Sequence, residues 1–396
     1  MLCDTGTIMD MDPAAFRNLY LHIPFCSGKC TYCGFYSEPF VAQRADVFLD
    51  ALEREVAAAT GVCRPSPDTL YIGGGTPSLL STPQWQRLCA MLHRGFDLGT
   101  LSEWTVEANP GTVTASTAGV WLEGGVTRIS LGAQSMCDAT LARIHRRHNA
   151  SQTVETLQTL RKAGFHRLGL DLIACLPEVT PTEWVTTLNA VADLQPGHVS
   201  VYACSIEPGS LLHLQHRQGL YAPTAEDDEQ LALDTASALL ATRGYEHYEI
   251  SNHAMPGERC RYNLNVWNGE DYIGFGPAAA SRSGLWRWTN GPDLDAYCAC
   301  GYGNHPPRDS ETLTPSSDAA ERLLFRFRLS DAVDLEAFAG QYGAAARRLV
   351  PFWRNRLEEL AEHGLVSGSG TGWRRTPQGE RMADAIAEAL LPDPGM

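Results

Sequence analysis

Cys26, Cys30 and Cys33 stand in the run Tyr20-Leu-His-Ile-Pro-Phe-Cys-Ser-Gly-Lys-Cys-Thr-Tyr-Cys. Thiolate sulfur is a soft ligand suited to iron–sulfur clusters, and three thiolates at this spacing can hold three irons of a [4Fe-4S] cubane. Gly34 and Phe35 follow Cys33, so no fourth cysteine continues the motif. One iron would then stay open to an exogenous ligand, the arrangement of a catalytic metal site rather than a structural one. A zinc site completed by a histidine, or three buried thiols, is the alternative the triplet alone allows.

Further residues carry chemistry at positions that follow apolar runs. In Gly73-Gly-Gly-Thr-Pro-Ser78 the glycines let the backbone approach a ligand and expose N–H groups, and Thr76 adds a hydroxyl. The plain alternative is a tight strand-to-helix turn. Glu107, in Glu107-Ala-Asn-Pro110, could accept hydrogen bonds from an ammonium group or a ribose, or be a solvated loop acid. Gln134 closes Ser130-Leu-Gly-Ala-Gln-Ser. Asp171 lies among Leu168, Leu170, Leu172 and Ile173, where an acid is costly unless paired, which marks a site residue. Arg146, within Arg143-Ile-His-Arg-Arg-His148, could clamp a carboxylate with two parallel hydrogen bonds, and Arg147 is its equal by chemistry. His22 reads as a structural histidine in a strand.

The elements that must position these residues alternate. Apolar runs at Leu19–Ile23, Leu70–Gly73, Trp104–Ala108, Arg128–Gly132, Leu168–Ala174 and Val199–Ala203 read as strands. Helical patterns over Val41–Ala59, Pro83–His93, Ala115–Glu123, Leu141–His145, Val154–Ala163 and Thr182–Leu194 lie between them. Such alternation implies an α/β fold with a parallel sheet and right-handed crossovers. Six units are too few for a closed eight-unit barrel and suit a partial (β/α)6 barrel, with the cysteine loop at the C-terminal end of its first strand, where β/α barrels bind cofactors.

After Ala203 the pattern changes. Ala225–Arg243 reads as one helix with Glu226, Asp227 and Asp228 near its start, where carboxylates suit the helix dipole. Tyr245 to Asn290 reads as irregular, and Cys300–Pro315, rich in Gly, Pro and Asn, as a linker. The chain closes with helices around a short Gly-rich turn, a winged-helix-like unit in which Glu358, Glu359 and Glu362 disfavour DNA. These boundaries give an N-terminal extension at 1–17, the partial barrel at 18–215, a substrate-associated region at 216–300 and a C-terminal α+β domain at 301–396.

Composition sets broader bounds. At 396 residues, with 44% hydrophobic and 19% charged residues, the chain expects an ample core and more than one unit. The net charge of −15 argues against a nucleic-acid surface. No apolar run approaches a membrane span, no signal peptide opens the chain, and 12 cysteines at this length suit reduced thiols in the cytoplasm.

With the triplet, the glycine turn and Glu107 at successive strand ends, the chain resembles the radical S-adenosylmethionine proteins, and among them the oxygen-independent coproporphyrinogen III oxidase-like family. The likeness runs through Arg128-Ile-Ser-Leu-Gly-Ala-Gln-Ser, Leu170-Asp-Leu-Ile-Ala-Cys-Leu-Pro, Ile206-Glu-Pro-Gly and Asp271-Tyr-Ile-Gly-Phe-Gly. True oxidases of the family have a cysteine where this chain has Phe35, and a longer N-terminal arm, so the resemblance is to the family's heme-chaperone branch. It implies a [4Fe-4S] cluster on Cys26, Cys30 and Cys33 whose open iron takes the amino and carboxylate groups of S-adenosylmethionine. Tyr20, Tyr32, Gly75, Thr76, Glu107, Gln134, Arg146, Asp171 and Ala203 match its cofactor contacts. The chemistry implied is one-electron reductive cleavage of the sulfonium, which the cofactor carries and the protein orients.

One departure bears on function. The branch carries His-Asn-x-x-Tyr-Trp as a heme motif, whereas this chain has Tyr262-Asn263-Leu264-Asn265-Val266-Trp267, replacing both the histidine and the tyrosine. Pro277-Ala-Ala-Ala-Ser stands where the branch has Gly-Ala-His. Tyr262, with Asn263 and Trp267 beside it, or His253 or Cys260, would have to serve heme instead. The resemblance therefore implies a protein that holds heme or a related tetrapyrrole and passes it to apo-proteins, with an electron donor as partner and the cofactors modulating transfer or homodimerisation. The alternative is radical oxidative decarboxylation of coproporphyrinogen III, or another radical reaction on a tetrapyrrole.

Overall fold

A computed structural model describes residues 13–61, 64–300, 308–369 and 372–392. Most of the N-terminal extension and the first half of the expected linker lie outside the described residues. The first strand, β1 (Asn18–Ile23), enters the cysteine loop, whose ends pair as short strands β2 (Phe25–Cys26) and β3 (Glu38–Pro39). Then follow α1 (Ala42–Thr60), β4 (Thr69–Gly74), α2 (Thr82–Gly95), β5 (Glu103–Ala108), α3 (Ala115–Gly124), β6 (Arg128–Gln134), α4 (Asp138–Arg143), α5 (Ala150–Ala163), β7 (Arg167–Ala174), α6 (Pro181–Asp193) and β8 (His198–Ala203).

Local chemistry sets these boundaries. Ser81 with Gln84, Asn149 with Gln152, and Thr180 with Glu183 form capping boxes that satisfy the first N–H groups of α2, α5 and α6. Gly125 and Gly164 take left-handed conformations that end α3 and α5. The expected strands run consecutively and parallel in the order β1-β4-β5-β6-β7-β8. Their outward side chains, such as Leu21, Ile72 and Val106, join Phe48, Trp85, Trp121 and Leu188 of the helices in one buried core. Burial on both faces explains why these strands read as near-continuous apolar runs.

The region read as irregular from Tyr245 to Asn290 is ordered. After α7 (Leu211–Arg217) and α8 (Glu226–Thr242) come β9 (Glu246–Glu249), β10 (Asn252–Ala254), α9 (Arg261–Trp267), β11 (Ile273–Phe275), β12 (Ala280–Ser283) and β13 (Trp286–Asn290). β10 pairs antiparallel with β8 and β9 antiparallel with β10, while β11 adds in parallel beside β1, so the sheet has nine strands. After α10 (Leu294–Ala299), part of the expected linker is also a strand, β14 (Arg308–Thr312), the outer strand of an antiparallel β12-β13-β14 sheet. Its polar sequence fits an exposed edge, where Arg287 pairs with Glu311 at 2.7 Å. The boundary expected at 300 thus falls inside a sheet.

α11 (Pro315–Arg326), α12 (Leu335–Glu362), the hairpin β15 (Val366–Ser369) and β16 (Gly372–Arg375), α13 (Pro377–Arg381) and α14 (Ala383–Leu390) complete the chain around a second core that includes Leu323, Phe338, Trp353 and Leu357. No helix among the described residues is long and apolar enough to cross a membrane.

Candidate functional site

A cavity of about 830 Å³ runs through the barrel from the cysteine loop towards the first residues of the strands. Cys26, Cys30 and Cys33 stand at its loop end as free, half-buried thiols. Cys33 N–H donates to the Cys30 carbonyl at 3.3 Å, which folds the loop so that the thiols share one wall. Burial pushes the Cys33 thiol up. An electropositive group bound there would have to offset that.

The glycine turn ends β4 beside this loop. Gly74 adopts φ +102, and a Cβ on Gly75 would lie 2.5 Å from the Phe25 carbonyl oxygen. The turn differs from the N–H cradle expected of it. Gly75 and Thr76 donate to the Ile23 and Phe25 carbonyls at 2.9 and 2.7 Å, and Gly74 donates to Glu107 Oε2 at 3.2 Å. What remains for a ligand is the Thr76 hydroxyl, 3.5 Å from Cys26 Sγ, which also accepts from Asn109 Nδ2 at 2.8 Å.

Glu107 and Asp171 face the same space from β5 and β7. Tyr71 OH donates to Glu107 Oε1 at 2.8 Å, yet burial, aided by the nearby Asp171 charge, pushes the Glu107 carboxyl up to about 7. Asp171 is likewise raised by burial, against hydrogen bonds from Ser200 and Ser130, the latter at 2.9 Å. Two acids beside each other, both raised by burial, suit a cationic or hydroxyl-rich ligand. Gln134 takes a left-handed φ of 65 where the β6–β7 register shifts, and this irregularity turns its side chain into the cavity.

Arg146 settles the choice between neighbouring arginines. It is half-buried in the cavity, where Nη2 donates to Asn109 Oδ1 at 2.7 Å and Nη1 to Cys30 Sγ at 3.7 Å. Its Nε is buried without a protein acceptor, which fits an anionic group on a bound ligand. Arg147 is exposed and covers Gly28. Tyr32 and Ala203 also line the cavity. Tyr20 does not. It stacks on Tyr71 at 6.2 Å and contacts His22 Nδ1 at 3.3 Å. His22, whose Nε2 lies 2.9 Å from the Tyr36 carbonyl, has its pKa lowered by burial to about 4, so it stays neutral and structural.

The residues expected to meet heme are split. α9 packs at the opposite end of the barrel from the cysteines, where the strands begin. Glu103, the first residue of β5 and fully buried, accepts the Arg261 and Tyr262 N–H groups at 2.7 and 3.3 Å and pairs with Arg128 and Arg167 at 2.9 and 3.3 Å. Asn265 Nδ2 donates to Asn18 Oδ1 at 2.7 Å. Tyr262 packs its ring 5.1 Å from Tyr71, and burial pushes its phenol above the ordinary range. Asn263 and Cys260 line the inner end of the cavity. Trp267 lies under the Arg328 guanidinium at 4.3 Å and against Phe325. His253 is buried in β10, stacked on His247 at 4.3 Å and 3.1 Å from Ser237 Oγ, outside the cavity lining.

Sequence reasoning missed Glu103, Asn109 and Tyr71. Glu103 precedes the apolar run that marks β5, and its role depends on a segment far along the chain. Asn109 stands inside the quoted Glu-Ala-Asn-Pro phrase, two residues from Glu107, and that spacing was the available signal.

Comparison with known proteins extends the picture. A model of the radical SAM superfamily matches residues 20–191, and one of the HemN C-terminal domain matches residues 313–381. Heme chaperone HemW of Bacillus subtilis is 32% identical over 381 residues, covering 95% of this chain and 99% of that protein. Heme chaperone HemW of Escherichia coli is 31% identical over 386 residues, covering 94% and 98%. Among solved structures, coproporphyrinogen III oxidase (HemN) from Escherichia coli superposes with a TM-score of 0.83 over 97% of this chain and 92% of that one, at 24% identity, a likeness of fold.

Proposed function

The chain belongs to the heme chaperone HemW family within the radical SAM superfamily, and from that premise we propose that it binds heme and passes it to acceptor proteins. The observation that carries this reading is the end-to-end match to proteins named heme chaperones, which spans the barrel and the C-terminal unit alike. Superfamily membership implies a [4Fe-4S] cluster and S-adenosylmethionine. When bound, that pair supplies one-electron reductive chemistry.

The chain's own residues divide the work of holding them. Cys26, Cys30 and Cys33, free thiols at the loop end of the cavity, would hold the cluster. Arg146, with Nε unpaired, would orient the ligand's carboxylate, and its approach to Cys30 Sγ supports that role. Glu107 and Asp171 take the ammonium and ribose groups, and Gln134 and Thr76 complete the polar wall. The Tyr71 hydroxyl, by donating to Glu107, keeps that carboxyl turned inward.

The test has two arms. Anaerobically reconstituted protein shows a cluster spectrum that Cys30→Ala loses, and a colourless wild type that retains zinc would sink the cluster assignment. Hemin titration of wild type gives a Soret shift, and transfer to an apo-hemoprotein follows by gel filtration. Conversion of coproporphyrinogen III under reducing conditions, without heme binding, would decide for an oxidase instead.

A further inference from the structure

The floor of the barrel, at the inner end of the cavity, holds donors that the ligands assigned above do not use. Thr105 and Arg128 are partners across the β5–β6 ladder, and Gly169 and His198 across β7–β8. All four line the cavity. Arg128 is 2% exposed. Its Nε pairs with Glu103 at 2.9 Å and its Nη2 donates to the Glu258 and Arg259 carbonyls at 2.9 and 3.2 Å, but Nη1 is buried without an acceptor. The hydroxyl of Thr105, a residue 1% exposed, is equally without a partner. Buried donors left unpaired are costly, so two of them beside one opening call for an occupant.

A third donor follows from the bonding around His198. Tyr248 OH accepts from the Cys260 N–H at 3.3 Å and lies 2.8 Å from His198 Nε2, so its own proton goes to that nitrogen. Burial, with Arg128 and Arg167 nearby, keeps His198 neutral, and the ring proton therefore sits on Nδ1. This nitrogen borders the space beside Gly169, where an added Cβ would lie 3.5 Å from it in ordinary contact. Gly169 is not at a positive φ, so its backbone does not require a glycine; what the glycine leaves is room. Negative groups do not crowd the place. Glu103 is taken up by Arg128, Arg167 and the first N–H groups of α9, and Arg167 also meets Glu258 at 3.5 Å, so two arginines stand against two glutamates. Glu107 and Asp171 lie one inward position nearer the cysteine loop, each with donors of its own from Tyr71 and Gly74 or from Ser130 and Ser200.

We propose that this inner pocket binds a small monovalent anion, a halide or a carboxylate of formate size, held by Arg128 Nη1, the Thr105 hydroxyl and His198 Nδ1–H. Three donors from three strands over a neutral floor complement one negative charge, and the water-poor barrel interior strengthens each bond. The anion enters through the cavity and ties β5, β6 and β8 together beneath the cofactor site. The assignment draws only on the barrel's own residues and holds whether or not the protein carries heme.

Thermal unfolding of the reconstituted full-length protein, free of S-adenosylmethionine, tests this in buffers of equal ionic strength containing chloride, formate or bulky methanesulfonate. Wild type is expected to melt about 2 °C higher in chloride, in formate or in both than in methanesulfonate, and the responding salt says which small anion the pocket takes. Thr105→Val removes the orphaned hydroxyl at nearly constant shape, so it melts at or above wild type in methanesulfonate and loses the gain. Gly169→Ala fills the room and loses the gain as well, with its melting in methanesulfonate at or above wild type. With bromide in the crystal, an anomalous peak is expected within hydrogen-bond reach of Arg128 Nη1. A wild type that melts alike in all three salts would overturn the proposal, as would a gain that both variants keep, or bromide at the surface only. So would a Thr105→Val protein that melts below wild type by one margin in every salt, the outcome if ordered water holds the hydroxyl.

Discussion

Glu107 stands beside Asp171 with its carboxyl pushed up to about 7 by burial, so a ligand ammonium must first find it ionised. Affinity for S-adenosylmethionine is therefore expected to rise with pH towards neutrality and to level off above it. Glu107→Gln flattens that profile and weakens binding about tenfold at pH 8, read by equilibrium dialysis. The same shift sets a stability trend of opposite sign. The folded, ligand-free protein keeps a proton that the unfolded chain releases near the ordinary carboxylate pKa. Stability therefore falls as pH rises from there to about 7. Glu107→Gln removes the fall, so the ligand-free variant melts about 2 °C above wild type at pH 8. Parallel melting curves for the two proteins from pH 5 to 8 would refute the linkage. At this scale the sequence singled out groups that the fold brings to one cavity, because Asp171 in an apolar run and cysteines after a strand are anomalies. Chemistry alone could not separate Arg146 from Arg147, and only the family resemblance picked Arg146, since their difference is burial, and burial depends on Asn109 and Cys30 arriving from other segments.

The six parallel strands were legible because each is a short apolar run between helical patterns with their own caps. Segments without that contrast were not. β10 and β11 have three residues each, too short for any period, and β14 is polar because it lies at an edge. The position of α9 was hidden for a further reason: its anchor, Glu103, is separated from Arg261 by 158 residues. That anchor can be weighed. Glu103→Ala would leave Arg128 buried without its closest counter-charge and the first N–H groups of α9 without an acceptor, at a cost of about 3–5 kcal/mol in denaturant unfolding. Glu359→Ala, which removes an exposed partner of Arg356 at 2.8 Å, should leave denaturant unfolding close to wild type. Equal losses in both variants would show that the buried charge does not hold the helix.

The barrel has its main core and the C-terminal unit another, and ion pairs join these two. Arg322 of α11 reaches Asp271 at 2.8 Å, Asp318 at 3.0 Å and the Gly269 carbonyl, while Tyr342 OH donates to the Asn268 carbonyl at 3.1 Å. These contacts hold the segment after α9 against the C-terminal helices, and the same unit carries Arg381 and Met382 to the cavity mouth. Loss of Arg322 should therefore act on the seam before it acts on either core. In Arg322→Leu, Asp271 loses its guanidinium and Asp318 keeps only Arg282, a cost of about 3–5 kcal/mol concentrated at the junction. Because each core stays intact, calorimetry is expected to resolve one wild-type transition into two, the C-terminal unit melting first, with cluster content unchanged below the first transition. A single transition at the wild-type temperature would mean that apolar contact alone joins the units. A single transition moved down as a whole would mean that the barrel cannot stand without the seam, and the mouth would then be lost with the cluster rather than before it.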